Sequence, residues 1–286
     1  MRKLMWGLAL LGLVLSTASC GGKHTAPTPE VVMVGRATLP VDPVDPAWQS
    51  VPEHVAKLLL QDMVEPRLLL PSTAEVRVRA IHNNVGVAFR LEWSDSTDDD
   101  VATPSRFSDA CAVQLPMNSG ADLPAPQMGE SERPVEITYW NAGWQAIVDG
   151  RADTITAIYP NASIDHYPFE ARSLDKNSTA QHEMAARYAP ARALGNPMAG
   201  PREVPVQDLI AEGAGTLTPA ASTRSRGRGV RTSSGWAVVI IRPLPGGLTA
   251  QSRSQVAFAV WEGSRQEAGA RKMRTGWVPL SRETAP

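Results

Sequence analysis

Cysteine is nearly absent from this chain of 286 residues, in which only Cys20 and Cys111 occur. Two cysteines exclude a disulfide-rich scaffold, so a folded domain must be held by a sizeable core or by a bound group. The chain also has no excess of positive charge, because 28 basic and 29 acidic residues leave a net charge of -1. A nucleic-acid-binding domain is normally clearly basic. We therefore expect no nucleic acid among the partners.

Motifs of the common enzyme classes are missing as well. The sequence has no G-x-S-x-G, H-E-x-x-H, P-loop or dinucleotide fingerprint. Its five histidines, which are His24, His54, His82, His166 and His182, show no metal-ligand spacing. The residues alone therefore indicate no catalytic site, and we predict that the protein is not an enzyme.

The N-terminus carries the longest apolar run. Arg2 and Lys3 precede Leu4–Leu15, a run that is too short to span a bilayer and typical of a signal peptide. Small residues then lead to Cys20, a pattern that resembles a bacterial lipoprotein signal. The alternative is an ordinary cleaved signal with an incidental cysteine.

This pattern predicts the organisation of the chain. We expect a lipoprotein signal peptide over 1–19, a lipidated Cys20 with a flexible linker over 20–32, and one domain over 33–286. Such a protein is exported and lies on the periplasmic side, anchored to the membrane by its lipid. Cys111, in the strand-like segment ACAVQL, is predicted to be a buried, inert thiol.

Alternating polar and apolar residues indicate strands along most of the chain. Ala74–Asn83 and Val85–Asp95 form a predicted hairpin around the Asn83-Asn84 turn. Other predicted strands are VVMVGRATL, DACAVQLP, PVEITYW, TITAIYP, GWAVVIIRPL and SQVAFAVWEG. We predict an all-β fold, an antiparallel β-sandwich of roughly eight to eleven strands with long loops and one or two short helices. The helices are expected at Thr179–Tyr188 and around Val206–Glu212.

Three loops interrupt this pattern. The segment SDSTDDD, which begins at Ser94, is predicted to be an acidic surface loop. The segment 161–219 is long, polar and rich in proline, and a connection of that length is more often functional than idle. Arg224–Arg231, which reads RSRGRGVR, is predicted to be a basic loop, either a solvated hairpin tip or a docking surface for an acidic partner.

Several segments together carry a family resemblance. They are FSDACAVQLP with the following loop that ends in PQMGE, the aromatic strand PVEITYWNAGWQ, the segment WEGSRQEAGARKMRTGWVPL, the hairpin, and Tyr188–Pro219. At these residues the chain resembles the haem-binding family of the γ subunit of ethylbenzene dehydrogenase. Relatives of that family include the γ subunits of dimethylsulfide, chlorate and selenate oxidoreductases and the small subunit of some nitrite oxidoreductases. The resemblance covers about residues 40–282.

The resemblance implies one non-covalent haem b with a methionine and a lysine as axial ligands. The positions that match are Met128, in the Met-Gly step, and Lys272, after the last long strand. Ala270 stands where the family usually has a second glycine. Methionine ligation favours ferrous iron, and a lysine can bind only as the neutral amine, which burial promotes. Competing ligands are His182, Met184 and His166, whereas Met273 should point away from the haem if its segment is extended.

The resemblance also implies contacts to the cofactor and a function. The cofactor-binding residues that it suggests are Tyr139, Trp140, Asn141, Asn196 and Arg271. Asn141 stands where Trp-Lys is common in the family. The implied function is electron transfer between the iron–sulfur subunit of a periplasmic molybdenum oxidoreductase and a respiratory acceptor, while a molybdopterin subunit performs the catalysis.

Two other interpretations remain open. A haem-free, carbohydrate-binding-like β-sandwich lipoprotein would use its tryptophans to stack on sugars. A structural lipoprotein without any ligand would leave the long segment 161–219 unexplained.

Overall fold

The computed structural model of the chain describes residues 26–103, 105–117, 122–152, 154–163, 178–188, 190–194, 196, 199, 202–243 and 254–283. The predicted signal peptide 1–19, Cys20 and His166 lie outside the described residues.

Strands dominate the described part of the chain. The strands are β1 (Val31–Gly35), β2 (His54–Lys57), β3 (Leu59–Leu60), β4 (Glu75–His82), β5 (Gly86–Ser94), β6 (Ala110–Pro116), β7 (Val135–Asn141), β8 (Val206–Ala211), β9 (Thr218–Pro219), β10 (Arg226–Arg231), β11 (Gly235–Pro243), β12 (Ser254–Trp261), β13 (Met273–Arg274) and β14 (Val278–Arg282). The helices are α1 (Ala142–Val148), α2 (Ile155–Ile158), α3 (Thr179–Tyr188) and α4 (Pro190–Ala193). Short 3₁₀ turns occur at Pro46–Ser50 and Gly263–Arg265.

The strands form two packed layers that are joined through β12. The first layer runs β10-β11-β5-β4-β1-β14, with β2 added to β4, and the second runs from β12 through β6, β7 and β8 to β9. Val256 of β12 pairs with β14 in the first layer, whereas Ala257–Trp261 pair with β6 in the second. One strand therefore turns the sheet from one layer into the other.

The main core lies between the two layers. One cluster of buried residues combines Phe89 and Val238 of the first layer with Cys111, Trp140 and Phe258 of the second. Side chains on a strand alternate between its two faces, so the neighbours of these residues point away from this core. The outer face of the second layer carries a separate apolar cluster, and this face forms the candidate site described below.

The fold confirms the predicted all-β sandwich and its hairpin. β4 and β5 pair antiparallel from Arg77 opposite Glu92 to His82 opposite Val87. The described part of the chain has 14 strands, more than the predicted eight to eleven. The strands beyond that range are β3, β9 and β13, each of which is only two residues long. One strand departs from the antiparallel arrangement, since β1 pairs in parallel with both β4 and β14. Cys111 is fully buried as predicted, and burial raises the pKa of its thiol.

Two predicted elements have a different type of secondary structure from the one predicted. By contrast, α3 begins and ends where it was predicted. The segment around Val206–Glu212 was predicted as a helix, but Val206–Ala211 form β8, because the free edge of β7 offers this strand hydrogen-bond partners over its whole length. TITAIYP was predicted as a strand but contains α2. The Thr154 hydroxyl accepts a hydrogen bond from the backbone N–H of Ala157 and so caps this short helix.

The predicted basic loop RSRGRGVR is also wrong, because Arg226–Arg231 form the edge strand β10. Its glycines face the core, where a Cβ on Gly229 would lie 2.1 Å from the ring of Trp140. Trp140 packs edge-to-face against Trp236, with ring centroids 5.1 Å apart. Gly229 therefore makes room for a tryptophan cluster inside the sandwich, and Gly227 makes room for Val206.

Candidate functional site

A cavity of about 550 Å³ opens on the outer face of the second layer. Its floor is formed by alternate residues of β6, β7 and β12, whose neighbours face the core. Its walls come from loops around residues 61–65, 126–128, 214–217 and 269–275. Its volume lies in the range of pockets that bind small molecules or cofactors.

Alanines make the floor of this cavity flat. Ala259 of β12 lies directly opposite Ala112 of β6, and Ala112 lies opposite Tyr139 of β7. In the next row Ala257 lies opposite Gln114. Three small side chains on adjacent strands therefore leave open space where larger residues would fill the cavity.

Met128 reaches the cavity from a tightly held loop. The Trp277 indole N–H donates to the carbonyl of Pro124 at 2.7 Å, and the Gln114 amide donates to the carbonyl of Pro126 at 3.1 Å. The backbone N–H of Gly129 closes the turn by donating to the carbonyl of Ala125 at 2.9 Å. These bonds fix the approach of the Met128 side chain.

The backbone at Met128 is unusual. Met128 has φ +74° and Gly129 has φ +76°, both in the left-handed region. A non-glycine residue rarely adopts this conformation unless its surroundings impose it, and such residues cluster at functional sites. A Cβ on Gly129 would lie 2.9 Å from the carbonyl oxygen of Ala211. The geometry of this turn therefore requires the glycine of the Met-Gly step.

Lys272 meets Met128 inside the cavity. Its Nζ lies 3.8 Å from the Sδ of Met128 and 5.1 Å from the ring centroid of Trp261. The lysine is only 9% exposed. Burial first, and the nearby Arg274 second, lower the pKa of Lys272 to about 8. Its amine is thus much more readily neutral, and able to bind a metal, than an exposed lysine.

Aromatic rings line one side of the cavity. Tyr139 packs edge-to-face against Trp261 and Trp144, with ring centroids 5.2 and 5.4 Å apart. The Asn141 amide donates to the Tyr139 hydroxyl at 3.2 Å, and the Asn141 side-chain oxygen caps α1 by accepting from the backbone N–H of Trp144. Burial raises the pKa of Tyr139 to about 12, so this hydroxyl stays neutral.

Arg274 places a second basic group at the cavity. Its side chain is 9% exposed, and its Nε is buried without a hydrogen-bond partner in the described structure. Burial lowers the pKa of Arg274. A buried guanidinium with unused donors is suited to bind a carboxylate.

The residues predicted for the site fall into two groups. Met128, Lys272 and Tyr139 all line the cavity. Asn141 supports Tyr139 from outside it, and Trp140 lies on the opposite face, in the core between the layers.

The remaining candidates do not line the cavity. The side chain of Arg271 approaches the ring of Phe107, with 5.9 Å between the guanidinium carbon and the ring centroid. The backbone N–H of Asn196 donates to the carbonyl of Ala191. Neither residue is part of the cavity lining, and the competing ligand His182 is exposed on α3. Met273 is buried in the main core and points away from the cavity, as predicted.

Two features of the site were not predicted from the sequence. The alanine floor is written as A-C-A-V-Q in β6 and A-F-A-V-W in β12, where small residues alternate with core residues. That alternation could have revealed an open outer face. Arg274 gave no such signal, because a basic residue in a polar segment usually faces solvent.

Comparison with known proteins places the chain in a family. The ethylbenzene dehydrogenase family matches residues 45–273, which is most of the chain. The protein belongs to this family, which confirms the family predicted from its sequence.

Two relatives are similar over most of the chain. A protein named as a respiratory nitrate reductase heme subunit from Haloferax mediterranei is 24% identical over 245 residues, covering 83% of this chain and 67% of the relative. The chlorate reductase subunit gamma of Ideonella dechloratans is 24% identical over 289 residues, covering 96% of this chain and 95% of the relative. Both are named as subunits of reductases, which confirms the prediction of a non-catalytic, electron-transfer subunit.

Solved structures of carbohydrate-binding modules are also similar. A family 9 module from Caldicellulosiruptor kristjanssonii in complex with cellotriose matches with a TM-score of 0.45 and 9% identity, covering 90% of this chain and 95% of the module. The same kind of module in complex with glucose matches with a TM-score of 0.42 and 10% identity.

Proposed function

We propose that this protein binds one haem b in the cavity on its second layer, with Met128 and Lys272 as the axial ligands. The observation that carries the proposal is the distance of 3.8 Å between the Met128 Sδ and the Lys272 Nζ inside one largely apolar cavity. A thioether and an amine of lowered pKa that meet at this distance can both donate electron pairs to one metal ion.

The other cavity residues fit the same group. The alanine floor suits a flat molecule, and Arg274 is placed to bind a carboxylate of it. Tyr139 and Trp261 form apolar walls that keep water from the ligands, and exclusion of water is one way in which a protein sets a reduction potential.

We infer that the role of the protein is electron transfer. When bound, a haem supplies a one-electron couple. Met128 and Lys272 would both hold the haem iron and would leave no position for a substrate, so the chain would hold and tune the group without catalysing a reaction itself. We propose that its partners are an iron–sulfur subunit and a molybdopterin catalytic subunit of the same complex. Support comes from the two relatives, which are named as reductase subunits.

The cofactor is tested by absorption spectroscopy. Protein produced with ample haem should show a Soret band, and acid acetone should extract the haem because the chain has no C-x-x-C-H motif for covalent attachment. Titration should give one haem per chain. A chain that binds cellotriose and shows no Soret band would instead favour the carbohydrate-binding alternative.

We further propose that a lipid on Cys20 anchors the protein to the membrane on the periplasmic side. The sequence supports this through its signal-like N-terminus, which leads to Cys20.

Replacing the lipidated residue tests the anchor. Cys20→Ala should move the protein from the membrane fraction to the soluble periplasmic fraction, because the acyl chains are its proposed tether. Cys111→Ala is the matched control and should leave the distribution unchanged, because that thiol is buried in the core. Unchanged membrane association of Cys20→Ala would mean that a partner subunit holds the protein there.

A further inference from the structure

A second cavity, of about 540 Å³, shares no lining residue with the first and is lined mainly by polar groups. Thr73, Asp95, Arg231, Glu262 and Arg265 line it, together with several serines. No methionine or lysine lines this cavity, so it offers haem iron no ligand of the proposed kind. The chemistry of this cavity must therefore be considered by itself.

Three buried carboxylates come together beside this cavity, and two of them, Asp95 and Glu262, line it. One oxygen from each of Asp95, Asp109 and Glu262 lies within 4.8 Å of the others. Asp95 follows β5, Asp109 precedes β6 and Glu262 follows β12, so the cluster joins the ends of strands from both layers. Each of the three residues is more than nine-tenths buried.

Hydrogen bonds hold all three carboxylates in place. Asp109 accepts from the indole N–H of Trp236 at 2.9 Å and from the backbone N–H of Gly263 at 2.8 Å. Glu262 accepts from the Ser264 hydroxyl at 2.8 Å. The Oδ1 of Asp95 accepts from the backbone N–H of Thr97 at 2.8 Å and from its hydroxyl at 3.1 Å. The Oδ2 of Asp95 is buried and accepts no hydrogen bond in the described structure. A preorganised carboxylate oxygen is thus available for another partner.

The charges at the cluster are unbalanced. The Arg231 guanidinium lies 3.8 Å from the Asp95 Oδ2, and Arg265 lines the cavity as well. Against them stand the three carboxylates and the acidic loop that contains Asp98. The repulsion among these groups would be relieved by a proton or by a cation.

An independent observation points to a ligand. The hydroxyl of Thr73 lines the same cavity, its residue is 6% exposed, and its Oγ1 has no hydrogen-bond partner in the described structure. Buried hydroxyls without a partner are uncommon, and each calls for an unseen water or ion. An oxygen atom of this kind is a suitable ligand for a hard cation.

We propose that Asp95, Asp109, Glu262 and Thr73 bind a divalent cation, and that the cation is Ca²⁺. Oxygen is the only donor type in the cluster, which excludes a preference for the softer transition metals. Ca²⁺ accepts six to eight oxygen ligands in irregular geometry, whereas Mg²⁺ demands an octahedron and retains its waters. The bound ion would tie the ends of β5, β6 and β12 together.

Calcium alone serves as the probe. The full-length protein is freed of metal with a chelator and titrated with Ca²⁺ or Mg²⁺ while binding heat and thermal unfolding are recorded. We expect saturable binding of one Ca²⁺. At a concentration about 100-fold above its dissociation constant, Ca²⁺ should raise the unfolding midpoint by about 5–10 °C. Mg²⁺ should have a smaller effect.

Matched variants separate a site from general screening of acidic charge. Asp95→Asn and Glu262→Gln keep the shape of the side chain and should weaken Ca²⁺ binding about tenfold or more. Asp122→Asn removes the same charge from an exposed residue that does not line the cavity and should leave the affinity unchanged. Thr73→Val should give an intermediate loss.

The outcomes decide the proposal without reference to haem. Circular dichroism in chelator shows whether each variant folds, and the wild-type titration is informative even where one does not. Absence of a saturable Ca²⁺ signal in the wild-type protein would overturn the proposal. An equal response to Ca²⁺ of the wild-type protein and Asp95→Asn would also overturn it. That result would mean that Arg231 and water satisfy the polar groups of this cluster.

Discussion

Lys272→Ala is expected to convert the haem protein from six-coordinate and low-spin to partly high-spin, with a newly gained ability to bind carbon monoxide. The reason is that the amine of Lys272, 3.8 Å from the sulfur of Met128, is the proposed ligand on one side of the iron.

Met128→Ala should open the other side in the same way. It should also lower the reduction potential, because a thioether favours ferrous iron. Absorption spectra with and without carbon monoxide, and a redox titration, measure these changes.

The lysine should also make the spectrum depend on pH. Burial lowers the pKa of Lys272 to about 8, and only the neutral amine binds a metal, so protons compete with iron for it. The low-spin spectrum should therefore be lost on acidification. The loss should occur below about pH 8, because binding to iron stabilises the neutral amine of Lys272 against protonation. Met128→Ala should keep this lysine-dependent transition, whereas Lys272→Ala should lack it.

The haem-free protein provides an independent check of the same pKa. Because the folded-state pKa of Lys272 lies below the unfolded value, the unfolded chain binds more protons between about pH 8 and 10.5. The free energy of unfolding should rise with pH across that window. Lys272→Met should reduce this rise, since the uncharged side chain fills the same space without titrating.

Neighbouring residues supply the controls for the ligand variants. Arg271→Ala should keep the six-coordinate spectrum, since Arg271 does not line the cavity. If Lys272→Ala keeps a wild-type spectrum while His182→Ala does not, the assignment of the ligands is wrong. The haem would then be held by the segment 161–219.

Local contacts explain which parts of the fold were predictable. The β4–β5 hairpin is joined by the three residues 83–85, and its alternation alone specifies both strands. β8 has apolar residues at helical spacing, Val206, Leu209 and Ile210, and becomes a strand only because it lies along β7. The glycines of β10 are explained only by Trp140, which packs on Gly229, and by Val206, which packs on Gly227, and both residues are remote in sequence.

In the candidate site, too, some features could be predicted from the sequence and others depend on long-range packing. Neither Met128 nor Lys272 has a local signature of a ligand, and the family resemblance alone suggested the pair. Folding of β12 against β6 and closure of two loops bring the residues together. The resemblance could not place Trp140 on the core face, although it adjoins Tyr139, because that assignment follows from the alternation of side chains along β7.

Ala259→Leu is expected to weaken haem binding by about 10-fold to 100-fold, because the larger side chain would occupy the floor of the cavity. Overpacking of this kind costs about 1–3 kcal/mol, and each 1.4 kcal/mol changes affinity about tenfold. Ala259 lies opposite Ala112 and faces the cavity, so the core of the sandwich should be unaffected. Haem titration of the apoprotein measures the affinity, and thermal unfolding should show that the haem-free variant is as stable as the wild type. Ala259→Gly is the matched control and should retain the affinity, since it adds no volume. If Ala259→Leu binds haem as tightly as the wild type, with an unchanged spectrum, then the haem does not lie on this alanine floor.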